Sequence, residues 1–261
     1  MAKVLKRFPV STPLSKKNSS GVLDNAVYLT REETHHLKNV LRMKEKDSCI
    51  VFDGEGNEFA AVIECFLSDG RAKLMLVEKT KLAAPPRLQL SVAQAIPQHR
   101  KMDQITREAS EIGVFELIPM ITEHTVVRME PEQKAKVVGR WERIAEQTVK
   151  QSKFLRTPRI CCVITFDEQC SKFNEFDQVF LFHPHVNSKP VRHYIFEDKK
   201  RAESDAPKKF LLMIGPEGGF SDHEVAQAQA AGAQLISLGE NIYKTDTAFA
   251  VASGIFSAMY S

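Results

Sequence analysis

The chain has 261 residues, 43% of them apolar and 26% charged, which is enough to bury one large core or two ordinary ones and excludes a disordered or fibrous protein. No apolar run approaches the roughly 20 residues of a membrane span, and the amino terminus, MAKVLKRFPV, lacks the apolar stretch of a secretory signal, so no membrane association and a cytoplasmic location are expected. The net charge of +3 names no partner, and five cysteines without a C-x-x-C pair predict neither a disulfide framework nor a metal site.

From about Tyr28 to Val77 the sequence predicts short strands, VYLT, SCIVFDG, EFAAVIECFL and RAKLMLVEK, interrupted by one helix. Thr30 and Glu33 have capping-box spacing, and Leu37, Val40 and Leu41 give that helix an apolar face. Arg31, His35, Lys38 and Arg42 then share a second face, because positions i, i+4, i+7 and i+11 align on an α-helix. With DGEGNE at 53–58 as a turn between strands, the unit reads as a small β-barrel with a basic helix against it. KTKLAAPPR, at 79–87, carries two prolines and no periodicity, and places a domain boundary near residue 80, giving domains 1–80 and 81–261.

Basic charge is concentrated in two blocks. Residues 1–46 hold ten Lys or Arg against four Asp or Glu, and residues 134–159 hold eight against two. Such blocks attract phosphate backbones, although solvated surface helices carry similar charge. The candidate phosphate-binding cations are Arg7, Arg31, Lys38 and Arg42 in the first block and Lys153 and Arg156 in the second.

Beyond the boundary, strands alternate with helices: LQLSVAQAI, a helix over 101–112, FELIPMI, a long helix from Pro131 to about Phe154, RICCVIT, QVFLFHPH, FLLMIGPEG, a helix over 222–231, QLISLG and a terminal helix. This order predicts an α/β domain with a mainly parallel sheet, whose ligands bind beyond the carboxyl ends of the strands. GPEGGF, at 215–220, lies at such an end. It is neither G-x-G-x-x-G nor a Walker loop, but its glycines allow positive φ and bare backbone, and Ser221 with Glu224 forms a capping box that starts the next helix. FHPH at 182–185 and GENIYKTDTA at 239–248 leave other strand ends and can complete one pocket.

Four segments together resemble the ribosomal RNA small subunit methyltransferase E family of the SPOUT superfamily. They are IGPEGGFSDHEV with SLGENIYKTDTA, EASEIGVFELIPMITEHTVV, WERIAEQTVKQSKFLRTPRI, and HHLKNVLRMKEKDSCIVFDGEGNEFAAVI. The resemblance implies a PUA-like amino-terminal RNA-binding domain, a SPOUT domain with a carboxyl-terminal trefoil knot, and a homodimer. It implies S-adenosylmethionine as cofactor, held around Leu181, Phe182 and His183, around Gly215, Pro216, Glu217, Gly218 and Gly219, and around Leu238, Gly239 and Ile242. The implied reaction is methylation of N3 of a uridine in 16S ribosomal RNA, free or in the small subunit. The family's I-L-R-T-E-T-A loop reads IYKTDTA here, so Lys244 and Asp246 stand for the usual arginine and glutamate. Lys244 is the candidate for stabilising charge on the uracil, and Asp246 or Glu217 for accepting its proton. Ribose 2′-O-methylation by a related enzyme, and RNA binding without catalysis, are the alternative readings.

Overall fold

The computed structural model describes residues 5–11, 13–14, 25–82, 86–152, 154–184, 188–198 and 207–259. They form two compact units, one from residues 1–84 with 149–157 and one from 85–148 with 158–261. Among the described residues no helix is long and apolar enough to cross a membrane, and no group of three or more His, Cys, Asp or Glu is placed to hold a metal ion.

In the first unit, β1 (Arg7–Pro9), β2 (Ala26–Tyr28), β3 (Ser48–Phe52), β4 (Asn57–Phe66) and β5 (Ala72–Leu82) form one sheet in the order β1-β3-β4-β5-β2. β1 runs parallel to β3 and the other pairs are antiparallel. No pairing of β1 with β2 closes this sheet into the expected barrel among the described residues. Alternate residues, including Cys49 and Val51, Ala61 and Ile63, and Ala72 and Leu74, bury one face with Phe8, Leu29 and Leu37.

The predicted amphipathic helix differs from the expectation. A short helix, α1 (Arg31–His35), begins with Thr30 accepting the Glu33 N–H, and then widens into a π-helical turn over His36–Val40. The wider turn adds a residue and rotates everything after it. Leu37 is fully buried, but Val40 is turned out, with 61% of its surface exposed. Arg42 lies past the helix in the left-handed region, at φ 55°, so the predicted four-residue stripe does not exist as a helical face. Lys38 and Arg42 nevertheless border one groove with Phe66, and the Lys38 ammonium lies 4.9 Å from that ring. Arg31 is exposed on α1, beside Gly70.

Arg7, expected as a surface cation, is engaged within the unit. Its side chain is 10% exposed, pairs with Glu58 at 2.9 Å, and donates to the carbonyls of Val149, Lys150 and Phe154. Arg156 donates to the Glu55 carbonyl at 2.7 Å, and Gly54 accepts the Thr157 N–H, so the 154–157 segment is stitched to the β3–β4 turn. Lys153 lies outside the described residues.

The second unit is an all-parallel sheet. Its strands are β6 (Leu88–Ala95), β7 (Glu116–Ile121), β8 (Arg159–Ile160), β9 (Ile164–Thr165), β10 (Gln178–Phe182), β11 (Lys189–Pro190), β12 (Lys208–Ile214) and β13 (Gln234–Ser237). The order is β11-β13-β10-β12-β6-β7-β8, with β9 also on β7. RICCVIT, expected as one strand, is therefore two short strands parted at 161–163. Helices α2 (Lys101–Ile112), α3 (Pro131–Ser152) and α7 (Thr245–Met259) cover one face through Ile105, Trp141 and Phe249, which meet Val92, Phe180 and Leu212. α4 (Phe166–Cys170) and α6 (Asp222–Ala230) cover the other through Phe166 and Val225, against Ala93, Leu181 and Met213. The remaining helix, α5 (Val191–Asp198), follows β11. Strands buried on both faces read as continuous apolar runs, as FLLMI does.

Because Glu58 is only 6% exposed, removing its arginine leaves a buried carboxylate without a cation. Arg7→Leu is expected to cost about 3 kcal/mol in denaturant unfolding, whereas Arg7→Leu with Glu58→Leu recovers most of the loss. Full stability in the single variant would show that the pair is solvated.

Candidate active site

Parallel strands send all their outgoing loops to one edge of the sheet. Here the loops after β10, β12 and β13 enclose a cavity of about 260 Å³ with the first turn of α7. The 215–221 loop is fixed from three sides. Thr245 donates its hydroxyl to the Gly215 carbonyl. Glu224, 5% exposed, accepts the Ser221 N–H at 2.9 Å within the capping box and the Glu123 N–H of the β7–α3 loop at 2.8 Å. Lys101, at the start of α2, reaches Glu217 at 2.8 Å, while the Gln98 N–H donates to the other Glu217 oxygen at 3.3 Å.

His124 Nδ1 lies 3.0 Å from the Gly218 carbonyl oxygen, which accepts only when Nδ1 carries the proton. A Cβ on Gly218 would sit 3.1 Å from His124 Cβ, so the small size of Gly218 serves loop packing. Gly219 differs. Its φ of +68° suits glycine, and a Cβ there would meet no protein atom within 4 Å, so its main chain stands open.

The structure brings together most of the residues singled out from sequence. Phe182, His183, Gly215, Pro216, Glu217, Gly218, Gly219, Leu238, Gly239 and Ile242 all border the cavity, and Ile242 is 85% exposed at its mouth. Leu181 does not. It is fully buried among the α6-side core residues, because alternate residues of β10 point to opposite faces. Lys244 and Asp246 flank Thr245 without bordering the cavity. Lys244 is exposed, and the cation near Asp246, at 4.0 Å, is Lys101.

Lys101, His124 and Thr245 were not visible as site residues in the sequence. Lys101 precedes the first apolar position of an ordinary amphipathic helix, and only the sheet order brings it to a loop 116 residues later. Burial alone would raise the Glu217 pKa, but Lys101 and the N–H groups around it win and hold its carboxyl below the usual range. Glu217 in turn raises the Lys101 pKa.

Residues 84–257 match the RNA methyltransferase domain family, well over half of the chain, and the protein belongs to that family. Residues 29–64 match the RNA methyltransferase PUA domain. The chain is 29% identical to ribosomal RNA small subunit methyltransferase E of Synechocystis, over 96% of this chain and 83% of that protein. The Bacillus subtilis protein of that name is 27% identical, over 84% of this chain and 85% of its own. A crystal structure of the Neisseria gonorrhoeae protein, bound to S-adenosyl methionine, superposes with a TM-score of 0.78, at 26% identity and 98% coverage of both chains. The family resemblance read from the sequence is thus found over nearly the whole chain.

The Lys101–Glu217 pair predicts a pH window. A depressed carboxylate stabilises the fold above its ordinary 4.5 and ceases to as pH falls through its lower folded value, while a raised ammonium stabilises below 10.5 and ceases to as pH rises through its higher one. Lys101→Met is therefore expected to lower stability by less than about 1 kcal/mol between these limits, since the pair is partly exposed. As pH falls through the lowered range of the Glu217 carboxyl the two proteins should converge in thermal melts. An offset that persisted in acid would assign the loss to packing.

Proposed function

We propose that this protein transfers a methyl group from S-adenosylmethionine to N3 of a uridine in 16S ribosomal RNA. The observation that carries the reading is the cavity itself: three loops leaving parallel strands turn apolar side chains and open main chain toward one space. Phe182, Ile214, Ile236 and Leu238 suit a flat heterocycle, exposed peptide groups suit its polar edge, and the open backbone at Gly219 admits close approach. Bound there, the cofactor supplies a methyl group already activated on a sulfonium sulfur. A carboxyl-terminal trefoil knot and a homodimer, both implied by the family resemblance, belong to the same proposal, as does a cytoplasmic location.

The protein's own part is to ionise and hold the uracil. N3 carries a proton at neutral pH, and its loss spreads negative charge over O2 and O4. The Lys244 ammonium, exposed beside two cavity-lining residues, has no ion pair among the described residues and stabilises that charge. Asp246 accepts the proton in preference to Glu217. Its Oδ1 has no hydrogen-bond partner among the described residues, whereas both Glu217 oxygens are engaged and its depressed pKa makes it a weaker base. RNA is held by its phosphates at Lys38, Arg42 and Arg31 of the first unit, which positions the strand without reading its sequence.

The test is nucleoside analysis of small-subunit RNA after incubation with enzyme and cofactor, where N3-methyluridine is expected. A ribose 2′-O-methyl product, or cofactor binding without transfer, would overturn the assignment. In single-turnover transfer at saturating RNA, Lys244→Ala should be slower by on the order of 10²-fold, comparable to loss of one oxyanion donor, with cofactor affinity unchanged. A fall in cofactor affinity alongside the rate would make Lys244 a loop-ordering residue.

The RNA face has its own measurement. Lys38→Glu with Arg42→Glu should weaken RNA binding and flatten the dependence of log K on log salt by roughly one unit for each lost phosphate contact, while cofactor affinity stays put. An unchanged slope would leave these residues as a solvated surface.

A further inference from the structure

A second cavity, of about 370 Å³, lies in the same unit against the sheet edge where β7 exchanges β8 for β9. Glu116 and Arg159 stand at the amino-terminal ends of their parallel strands, so this cavity opens away from the edge that carries the candidate active site. Its apolar walls include Ile118, Ile160, Ile164 and the ring of Phe176. Exposed Lys172 and Arg159 stand at its border, opposed by Glu175 and Glu116, so the lining carries no net charge.

One polar residue of its lining is unusual. Gln169 on α4 is 1% exposed, and neither its amide nitrogen nor its carbonyl oxygen has a hydrogen-bond partner among the described residues. Burying a primary amide with both ends unsatisfied is costly, because its lost hydrogen bonds to water are not replaced, and native structures seldom keep one without a use. The neighbouring carboxylate cannot serve it. Glu116 accepts the Ser91 hydroxyl on one oxygen, and the Cys161 thiol and the Arg159 guanidinium on the other. Cys161 remains a thiol, its pKa pushed up to about 12 by burial and by Glu116.

We propose that this cavity binds a single nucleobase. The Gln169 amide offers one donor beside one acceptor, the pattern that pairs with a base edge such as N6 and N7 of adenine. Phe176 supplies an aromatic wall for stacking, and Lys172 and Arg159 stand where a backbone phosphate would lie. A neutral, flat heterocycle with an adjacent donor and acceptor fits a lining without net charge. On the reading given above, the base belongs to an unpaired nucleotide of the RNA substrate that is not the one methylated, so the site would anchor RNA at a distance from the reacting uridine.

Cys162 provides a readout that does not depend on activity, since it borders the cavity and is exposed. The full-length protein is alkylated with iodoacetamide in the presence of adenosine or a short single-stranded adenylate RNA, and peptide masses give the rates at Cys162 and, as a reference, at Cys65 in the other unit. At a ligand concentration about tenfold above its Kd, both ligands are expected to slow Cys162 by roughly tenfold, because only the unliganded fraction reacts, and to leave Cys65 unchanged. Protection by the oligonucleotide alone would assign the base to an RNA strand, and protection by neither would overturn the proposal. Gln169→Met keeps the shape without the amide. It should lose the protection while melting at or above the wild-type temperature, because an unsatisfied group has been removed. A variant that melts lower and keeps the protection would make Gln169 structural and also overturn the proposal. Cofactor calorimetry and nucleoside analysis on the wild type test the methyltransferase reading separately, so either idea can fail alone.

Discussion

Parallel pairing is the constraint on which the second unit depends. A parallel strand cannot return through a tight turn, so each connection must cross the sheet, and every outgoing loop leaves from the same edge. Crossovers also cover both faces, which is why Phe210, Leu212 and Ile214 pack on one side while Leu211 and Met213 pack on the other. The same geometry collects residues from 98 to 248 along one edge, where the loops after β6, β7, β10, β12 and β13 approach one another. A candidate active site at that edge is a consequence of how the sheet must be connected.

Collected loops still need to be held, and the structure holds them with charge and main-chain hydrogen bonds. Glu224 is nearly buried yet well satisfied, because it receives two backbone N–H groups from different loops. Lys101 joins the start of α2 to the glycine loop through Glu217 and lies within 4.0 Å of Asp246 on α7. These ties separate the roles of the three acidic residues. Glu224 is structural, Glu217 is occupied by a cation, and Asp246 alone keeps an oxygen without a hydrogen-bond partner among the described residues. Preorganised loops of this kind favour chemistry in which alignment supplies most of the rate.

The first unit solves a different problem. Its buried core is extended by polar ties to residues far along the chain: Arg7 to the carbonyls of Val149, Lys150 and Phe154, Lys150 to Glu33, and Gly54 to Thr157. Several basic residues that raise the local charge are therefore committed to holding the unit together. The cations left facing water, Lys38 and Arg42 among them, are fewer than the charge blocks suggest, and a π-helical turn decides which way they point.

Much of the protein was legible in the sequence because the signals are local. The 101–112 helix has its observed length from periodicity alone, Ser221 and Glu224 cap α6 three residues apart, and GPEGGF marks a strand end by its composition. What failed also has a local cause that depends on tertiary packing. The π-turn leaves Val40 exposed while Leu37 and Leu41 pack on the core of the sheet, and RICCVIT splits because its two ends pair with different parts of β7. Arg7 reads as a surface cation until Glu58, 51 residues away, is folded beside it. Sequence by itself determined the period of most elements, the class of the fold and the three loops that border the cavity. Only the tertiary structure decided which charges face one another, because an ion pair such as Lys101 with Glu217 depends on strand order across 116 residues, which no local spacing records.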